Sequence, residues 1–553
     1  MSRRYPELVA WIVPFVVVFF AVQPSWSQNE PATFTAQSEL VLVPAVVTDK
    51  SGNFVGNLSK DDFVVLEDGK PQTVRVFAEQ LTTSARVQRT PTANGSFSNV
   101  LETGSTPKRL VIIALDLVNT PILLQGSARN ELLQYLAKSL DPGEPTELVA
   151  IGRSGLVVLH DFTGDPALLV GALQRFSGTS LSLAEKQSAS QGPPPGDALA
   201  AILRMLAHLE NEDKASMEAF DRRTAILTTL EAMQQIAAAV AGIPGRKALL
   251  WLSAGFPFSI SQTDAAPGLG TVLDPYQRTW RLLNQSQVAV YPIDIRALTN
   301  PKFHGVNEPG TKHLPWEPPG DDPYTDILMR DDKEQQEILT TLQNFADATG
   351  GRAFFDSNDL QRGFREAVRD NASYYMLGYY LDRHGKKPGW HKLQVRVHRN
   401  GVEVRARNTF LLTTSGNREV AKSDLGQALQ APVDFTGIPI QGSWTAVTGN
   451  GGSNKAGFEL VMPANFAEID ESDNNHLHVE FVAEARRENG PPVRVGKTVD
   501  VHLDANGLEQ IRNHGMTYRD AFKLPAGHYA VHFVVLDVLS AKTGSVIASL
   551  EVQ

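Results

Sequence analysis

The chain of 553 residues contains no cysteine. That excludes disulfides, thiol catalysis, thiolate zinc sites and a lipid-modified N-terminal cysteine. An excess of positive charge is also missing: 51 Lys and Arg stand against 61 Asp and Glu, a net charge of −10. Nucleic-acid-binding proteins normally show a basic patch, so nucleic acid is not expected as a main partner. Beyond the N-terminus no apolar run approaches the roughly 20 residues that a spanning helix needs. Common catalytic motifs are absent too. There is no Walker loop, no His-Glu-x-x-His and no Gly-x-Gly-x-x-Gly placed after a strand. Trp251-Leu-Ser253-Ala-Gly255 resembles a hydrolase elbow only in part, because Trp251 stands where the tight turn requires glycine. An Asp-x-Asp-x-Thr phosphotransferase loop would need a second acid at Val118. The expectation is a protein without catalytic activity.

What is present is a chain with 42% hydrophobic residues, enough for globular cores and roughly three or four domains. Residues 1–27 have a signal-peptide layout. Arg3 and Arg4 precede the apolar stretch Leu8 to Val22, and Ser25-Trp-Ser27 supplies small residues for cleavage. An uncleaved membrane anchor is the alternative. Export without any cysteine suggests a bacterial envelope, so the expected location is extracytoplasmic: periplasmic, envelope-associated or secreted.

Residues 37–80 read as strands, with the hairpin signal Asp68-Gly69 between apolar alternations. Residues 81–107, rich in Thr, Ser, Asn, Pro and Gly, read as a linker. Residues 108–371 alternate strands with helices, interrupted by one hairpin at Gly152-Arg-Ser-Gly155. That order predicts a doubly wound, mostly parallel α/β sheet. Residues 372–412 return to strand alternation, 413–433 read as a second linker, and 434–553 read as a C-terminal β-sandwich. The tyrosines at 374, 375, 379 and 380 read as strand packing rather than a sugar platform. His476-x-His478 has metal-ligand spacing, but no third ligand is visible beside it, so it reads as ordinary strand sequence.

One strand carries more information than the rest: Arg109-Leu-Val-Ile-Ile-Ala-Leu-Asp116, opening into Leu-Val-Asn-Thr120. A buried run that stops at an acid places a carboxylate in the crevice where open α/β sheets bind ligands. Around it lie Leu42-Val-Pro-Ala-Val-Val-Thr-Asp-x-x-Gly52, Leu58-x-x-Asp-Asp-Phe63 and Leu66-Glu-Asp-Gly69. After it come Tyr374-Tyr-Met-Leu-Gly-Tyr379, Trp390-His-Lys-Leu-Gln-Val and Val402-Glu-Val-Arg-Ala-Arg407. Together these segments resemble bacterial von Willebrand factor A (VWFA)-related domain proteins, an exported family. The likeness covers residues 37 to about 412.

The resemblance implies a VWFA sheet carried by a β-sandwich from both flanks, 37–80 and 372–412. It also implies a divalent cation, usually Mg²⁺, held by three loops. The first loop's Asp-x-Ser-x-Ser falls on Asp116, Val118 and Thr120; the second loop's Thr falls on Thr179. The third loop's Asp falls on Ala254. Valine and alanine offer no oxygen, which leaves Asp116, Thr120 and Thr179 as an incomplete set. No cofactor is firmly expected; Mg²⁺ or another divalent cation would bind weakly, since Mg²⁺ is shed of water only by charged oxygen ligands. Asp294 also ends a strand, and would approach the crevice if 288–294 neighbours 248–253, with strands about 4.8 Å apart. Alternatively both acids simply accept backbone N–H bonds from their own loops.

The loops 180–215 and 296–332 should lie on the same rim, and His313, Trp316 and Asp321-Asp322 suit a contact surface. The resulting expectation is an exported adhesion or scaffolding protein that binds another protein through Asp116, Asn119, Thr120, Thr179, Ser253, Asp294 and Trp316. Membrane contact is expected only if the N-terminal segment is retained. The competing reading is a cryptic metal-assisted hydrolase using Asp116, Asp294 and a histidine of the 304–313 loop.

Overall fold

The computed structural model describes residues 39–552, apart from 83–87, 90–94, 103–108, 177–219, 257–269, 299–322, 356–359, 382–385, 388, 413–417, 450–453 and 488–489. Residues 1–27, read from the sequence as a signal peptide, lie outside the described residues. The chain is mixed α/β with several sheets. At its centre is a five-stranded sheet in the order Gly155–Thr163, Thr146–Gly152, Leu110–Asp116, Lys247–Ser253, Val288–Asp294. The first pair is the antiparallel hairpin; the other three pairings are parallel. Every residue of the four inner and parallel strands is buried. Continuous apolar runs are what a strand needs when both faces are covered.

Alternation along Leu110–Asp116 divides the two faces. Val111, Ile113 and Leu115 pack against helices Ile122–Lys138, Pro166–Arg175 and Leu360–Ala372. Leu110, Ile112 and Ala114 face a helix through 220–239 together with Gly270–Gln285 and Pro323–Thr349, where Trp251, Trp280 and Phe345 cluster. Trp280 stacks on Phe345 at 4.6 Å between ring centres.

Two four-stranded sheets flank this unit. One runs Val402–Ala406, Glu39–Asp49, Ser373–Leu381, Val76–Leu81; the other runs Thr409–Leu412, Gly389–Val397, Phe63–Glu67, Lys70–Gln72. They share a core built from both sides of the central unit, including Val43, Val65, Tyr375, Leu377 and Leu393. Tyr374, Tyr375 and Tyr379 are buried. Tyr375 Oη donates to the Val55 carbonyl at 2.9 Å, and Tyr374 Oη accepts the Arg246 N–H at 3.1 Å.

The C-terminal part is two further four-stranded sheets around Phe458, Phe481, Phe522 and Phe533. Here the structure corrects both segments read as linkers. Within 81–107, Ser96–Ser98 pairs with Gln441–Gly449 and completes a C-terminal sheet. Phe97 is buried and stacks on Phe533 at 4.7 Å. The buried Asn99 amide donates to the carbonyls of Phe435 and Ile438 at 2.7 and 2.8 Å and accepts from Ile440 N–H at 2.7 Å. A single Phe among small polar residues has no periodicity to reveal such a strand. Within 413–433, Arg418–Gln430 is a helix whose Ala428 and Leu429 are buried against the central unit. Its apolar positions are few and short, so its pattern resembled a linker.

Candidate functional site

The strand Leu110–Asp116 ends at a buried carboxylate, and the next helix begins at Ile122 behind Pro121. The intervening loop turns back on Asp116. Asn119 N–H donates to Oδ1 at 3.0 Å, and Asn119 Nδ2 donates to Oδ2 at 2.8 Å. Two more donors arrive from the neighbouring parallel strand: Trp251 Nε1 at 3.0 Å and Ser253 Oγ at 2.9 Å, both on Oδ2. Burial pushes the Asp116 carboxyl above the ordinary range, and these four hydrogen bonds oppose it in part. Asn119 Nδ2 also donates to Thr229 Oγ1 at 2.8 Å, tying in the helix through 220–239. Ser253 Oγ lies 2.7 Å from the Gly255 carbonyl, so its one proton serves either that carbonyl or Asp116. Thr120 is buried, and its Oγ1 accepts the Ala254 N–H at 3.3 Å.

Asp116, Asn119, Thr120 and Ser253 are therefore brought together, as one internal hydrogen-bonded cluster. Asp294 is not part of it. The strand Val288–Asp294 does pair with Lys247–Ser253, with Asp294 opposite Ser253. That places Asp294 two strands from Asp116, roughly 10 Å at about 4.8 Å per strand. Its carboxylate is gripped by its own neighbour: Arg296 N–H and Nε donate to Oδ1 at 2.9 and 3.0 Å, and Nη2 donates to Oδ2 at 2.8 Å. Instead of reaching the crevice, the Asp294 carboxylate is held in an ion pair with Arg296. Thr179 and Trp316 lie outside the described residues, as does the 304–313 loop.

A dication needs charged oxygen with free lone pairs directed at it. Among the described residues Asp116 is the acid of the crevice; three donors crowd its Oδ2 and the Asn119 N–H occupies its Oδ1. Val118 packs against the apolar cluster of one sheet face. Ala254 is buried and meets Thr120 through its backbone. This arrangement does not fit a resident cation at Asp116. Sequence reasoning missed Trp251 and Thr229 as members. Trp251 was legible in principle, because a tryptophan inside a fully buried strand needs an acceptor for its indole N–H.

At the opposite end of the sheet, a cavity of about 430 Å³ is lined by Arg278, Arg281, Gln287, Asp424, Gln427 and Lys542. Asp424 pairs there with Arg278 and lies 3.7 Å from Arg281, joining the helix Arg418–Gln430 to the central unit.

No family model and no curated protein matches the chain. Among solved structures it is similar to the TFIIH p34 N-terminal domain, at 13% identity over 34% of this chain and 79% of that one. The TM-score is 0.17, a likeness that carries no argument about fold or activity.

Proposed function

We propose that this is an exported, non-catalytic binding protein. In this reading the central unit is a doubly wound, VWFA-like domain with a degenerate metal-ion-dependent site, and it serves in adhesion or scaffolding. The partner is a protein, met at the rim formed by the C-terminal ends of the parallel strands. The supporting observation is the internal use of Asp116. A carboxylate that accepts from Asn119, Trp251 and Ser253 stabilises the crevice from within rather than being held out for a cation shared with a partner. Contact then falls to the segments that follow the strands, 180–215 and 296–332, whose polar and aromatic composition suits a protein surface.

The test has two arms. Titration of the full chain with Mg²⁺, followed by calorimetry and melting temperature, should give neither heat nor stabilisation. Capture of a protein from a bacterial envelope fraction should persist in a chelator such as EDTA. A Mg²⁺-dependent stabilisation that disappears in Asp116→Ala would overturn the metal-free reading. Turnover of generic ester or phosphate substrates, lost in Asp294→Asn, would replace it with the hydrolase.

A further inference from the structure

The C-terminal sandwich brings six titratable side chains together, five on one face of two paired strands and Asp473 from the turn that precedes them. His476–Arg486 and Val493–His502 are antiparallel, with His476 opposite His502 and His478 opposite Asp500. Residues 476 and 478 point the same way because side chains alternate along a strand. The odd positions Leu477, Val479 and Phe481 enter the core, so the histidines lie on the opposite face of the strand, His476 partly exposed and His478 buried. The third polar group that the sequence did not show, the Asp500 carboxylate, comes from the neighbouring strand, 24 residues from His476.

The geometry converges on the Asp500 carboxylate. His476 Nε2 lies 2.7 Å from Oδ1, and His478 Nδ1 lies 3.8 Å from Oδ2. One ligand atom from each of His476, His478 and Asp500 falls within 4.8 Å of the others. Zinc holds such atoms at about 2.0–2.1 Å, hence roughly 3.4 Å from one another in a tetrahedron. Small side-chain rotations span the difference. The other nitrogen of each imidazole faces a second carboxylate: His476 Nδ1 is 3.5 Å from Asp473, and His478 Nε2 is 3.9 Å from Glu480. A carboxylate behind a ligating histidine fixes its orientation and raises its basicity. His502 stacks on His476 at 5.0 Å and lies 3.4 Å from the same Asp473.

The position of Asp473 is set by a tight, pre-built turn. The Asp470 side chain accepts the N–H groups of Ser472 and Asp473. Asn474 and Asn475 take left-handed backbone angles, and Asp470 and His476 exchange two backbone hydrogen bonds. A second such group, Glu67, Asp68 and His391, differs in that the Lys386 ammonium already neutralises Glu67.

We propose that His476, His478 and Asp500 form a binding site for a divalent transition-metal ion of the Zn²⁺ class, with Asp473 and Glu480 orienting the imidazoles. Two imidazoles and one carboxylate favour Zn²⁺, Co²⁺ or Ni²⁺ over Mg²⁺ and Ca²⁺, which prefer oxygen alone. The site is independent of the crevice at Asp116.

Competition of the tag-free full chain against a chromophoric chelator should show one tight Zn²⁺ equivalent that Mg²⁺ does not displace. Co²⁺ bound in its place should give the visible absorption of a low-coordinate N/O site. Asp500→Asn and His476→Gln should each weaken Zn²⁺ at least about 100-fold, and Asp473→Asn by about 10–100-fold. Asp116→Asn should leave the affinity unchanged. The melting temperature of each metal-free variant checks that it folds. The absence of a tight equivalent and of a Co²⁺ band in the unmutated chain would overturn the proposal, and needs no variant. So would undiminished affinity in folded Asp500→Asn and His476→Gln.

Discussion

Asp116 and Lys247 are both buried ionisable residues at the ends of central strands, and their surroundings treat them differently. Asp116 collects four donors, so its removal strands those donors in a site water does not reach. Asp116→Ala should cost about 3 kcal/mol or more, at about 1–3 kcal/mol per buried donor left unpaired. Urea unfolding of variant and parent measures this directly. Lys247 Nζ donates to the carbonyls of Ile243 and, at 2.8 Å, Ser286, and burial lowers its pKa from 10.5 to about 7. Between these values the unfolded chain binds the proton and the folded chain does not, so stability should rise with pH. The slope contributed by this group is at most about 1.4 kcal/mol per pH unit. Below about pH 7 both states are protonated and the penalty of burying the charge is constant. Lys247→Met should remove this rise, and the difference between the two stability profiles from pH 7 to 10 isolates it. A difference that stays flat across that window would show that Lys247 keeps its charge in the fold.

Elements that are buried on both faces were the most legible. Leu110–Asp116, Lys247–Ser253 and Val288–Asp294 are buried throughout and apolar between their ends because helices cover both sides of the sheet, and the sequence carries that pattern openly. The turn at Gly152-Arg-Ser-Gly155 was legible for a local reason as well: Gly155 has φ of +102°, which a side chain would strain. Short elements that owe their structure to distant partners were not. Ser96–Ser98 has Phe97 as its one large apolar residue, and it becomes a strand only against Gln441–Gly449. Phe97→Ala should cost about 3–5 kcal/mol, the usual penalty for a buried aromatic. The loss should appear in the unfolding of the C-terminal sandwich, followed by fluorescence of Trp444, whose ring lies 5.5 Å from Phe97. Unchanged unfolding would mean that the strand is dispensable to the sandwich.

At the scale of the whole molecule the chain is interlaced rather than strung out. The segment before the central unit sends four strands into the flanking sandwich and one, Ser96–Ser98, into the C-terminal one. The helix Arg418–Gln430 returns to the central unit, where Asp424 meets Arg278 and Arg281 beside the 430 Å³ cavity. Thr436 adds a second tie, donating to the Ala239 carbonyl at 2.9 Å and accepting the Gly242 N–H at 2.8 Å. The sequence by itself determined the elements whose signal is local: the buried parallel strands, the hairpin turns and the acid at the end of Leu110–Asp116. Periodicity and turn chemistry are written within a few residues of where they act. Only the tertiary structure decided what those residues meet. Trp251 and Ser253 reach Asp116 from 135 and 137 residues away, Arg296 holds Asp294 out of the crevice, and Asp500 comes to His476 and His478 across a strand pair. Those meetings depend on strand order and register, which long-range packing fixes and no local pattern records.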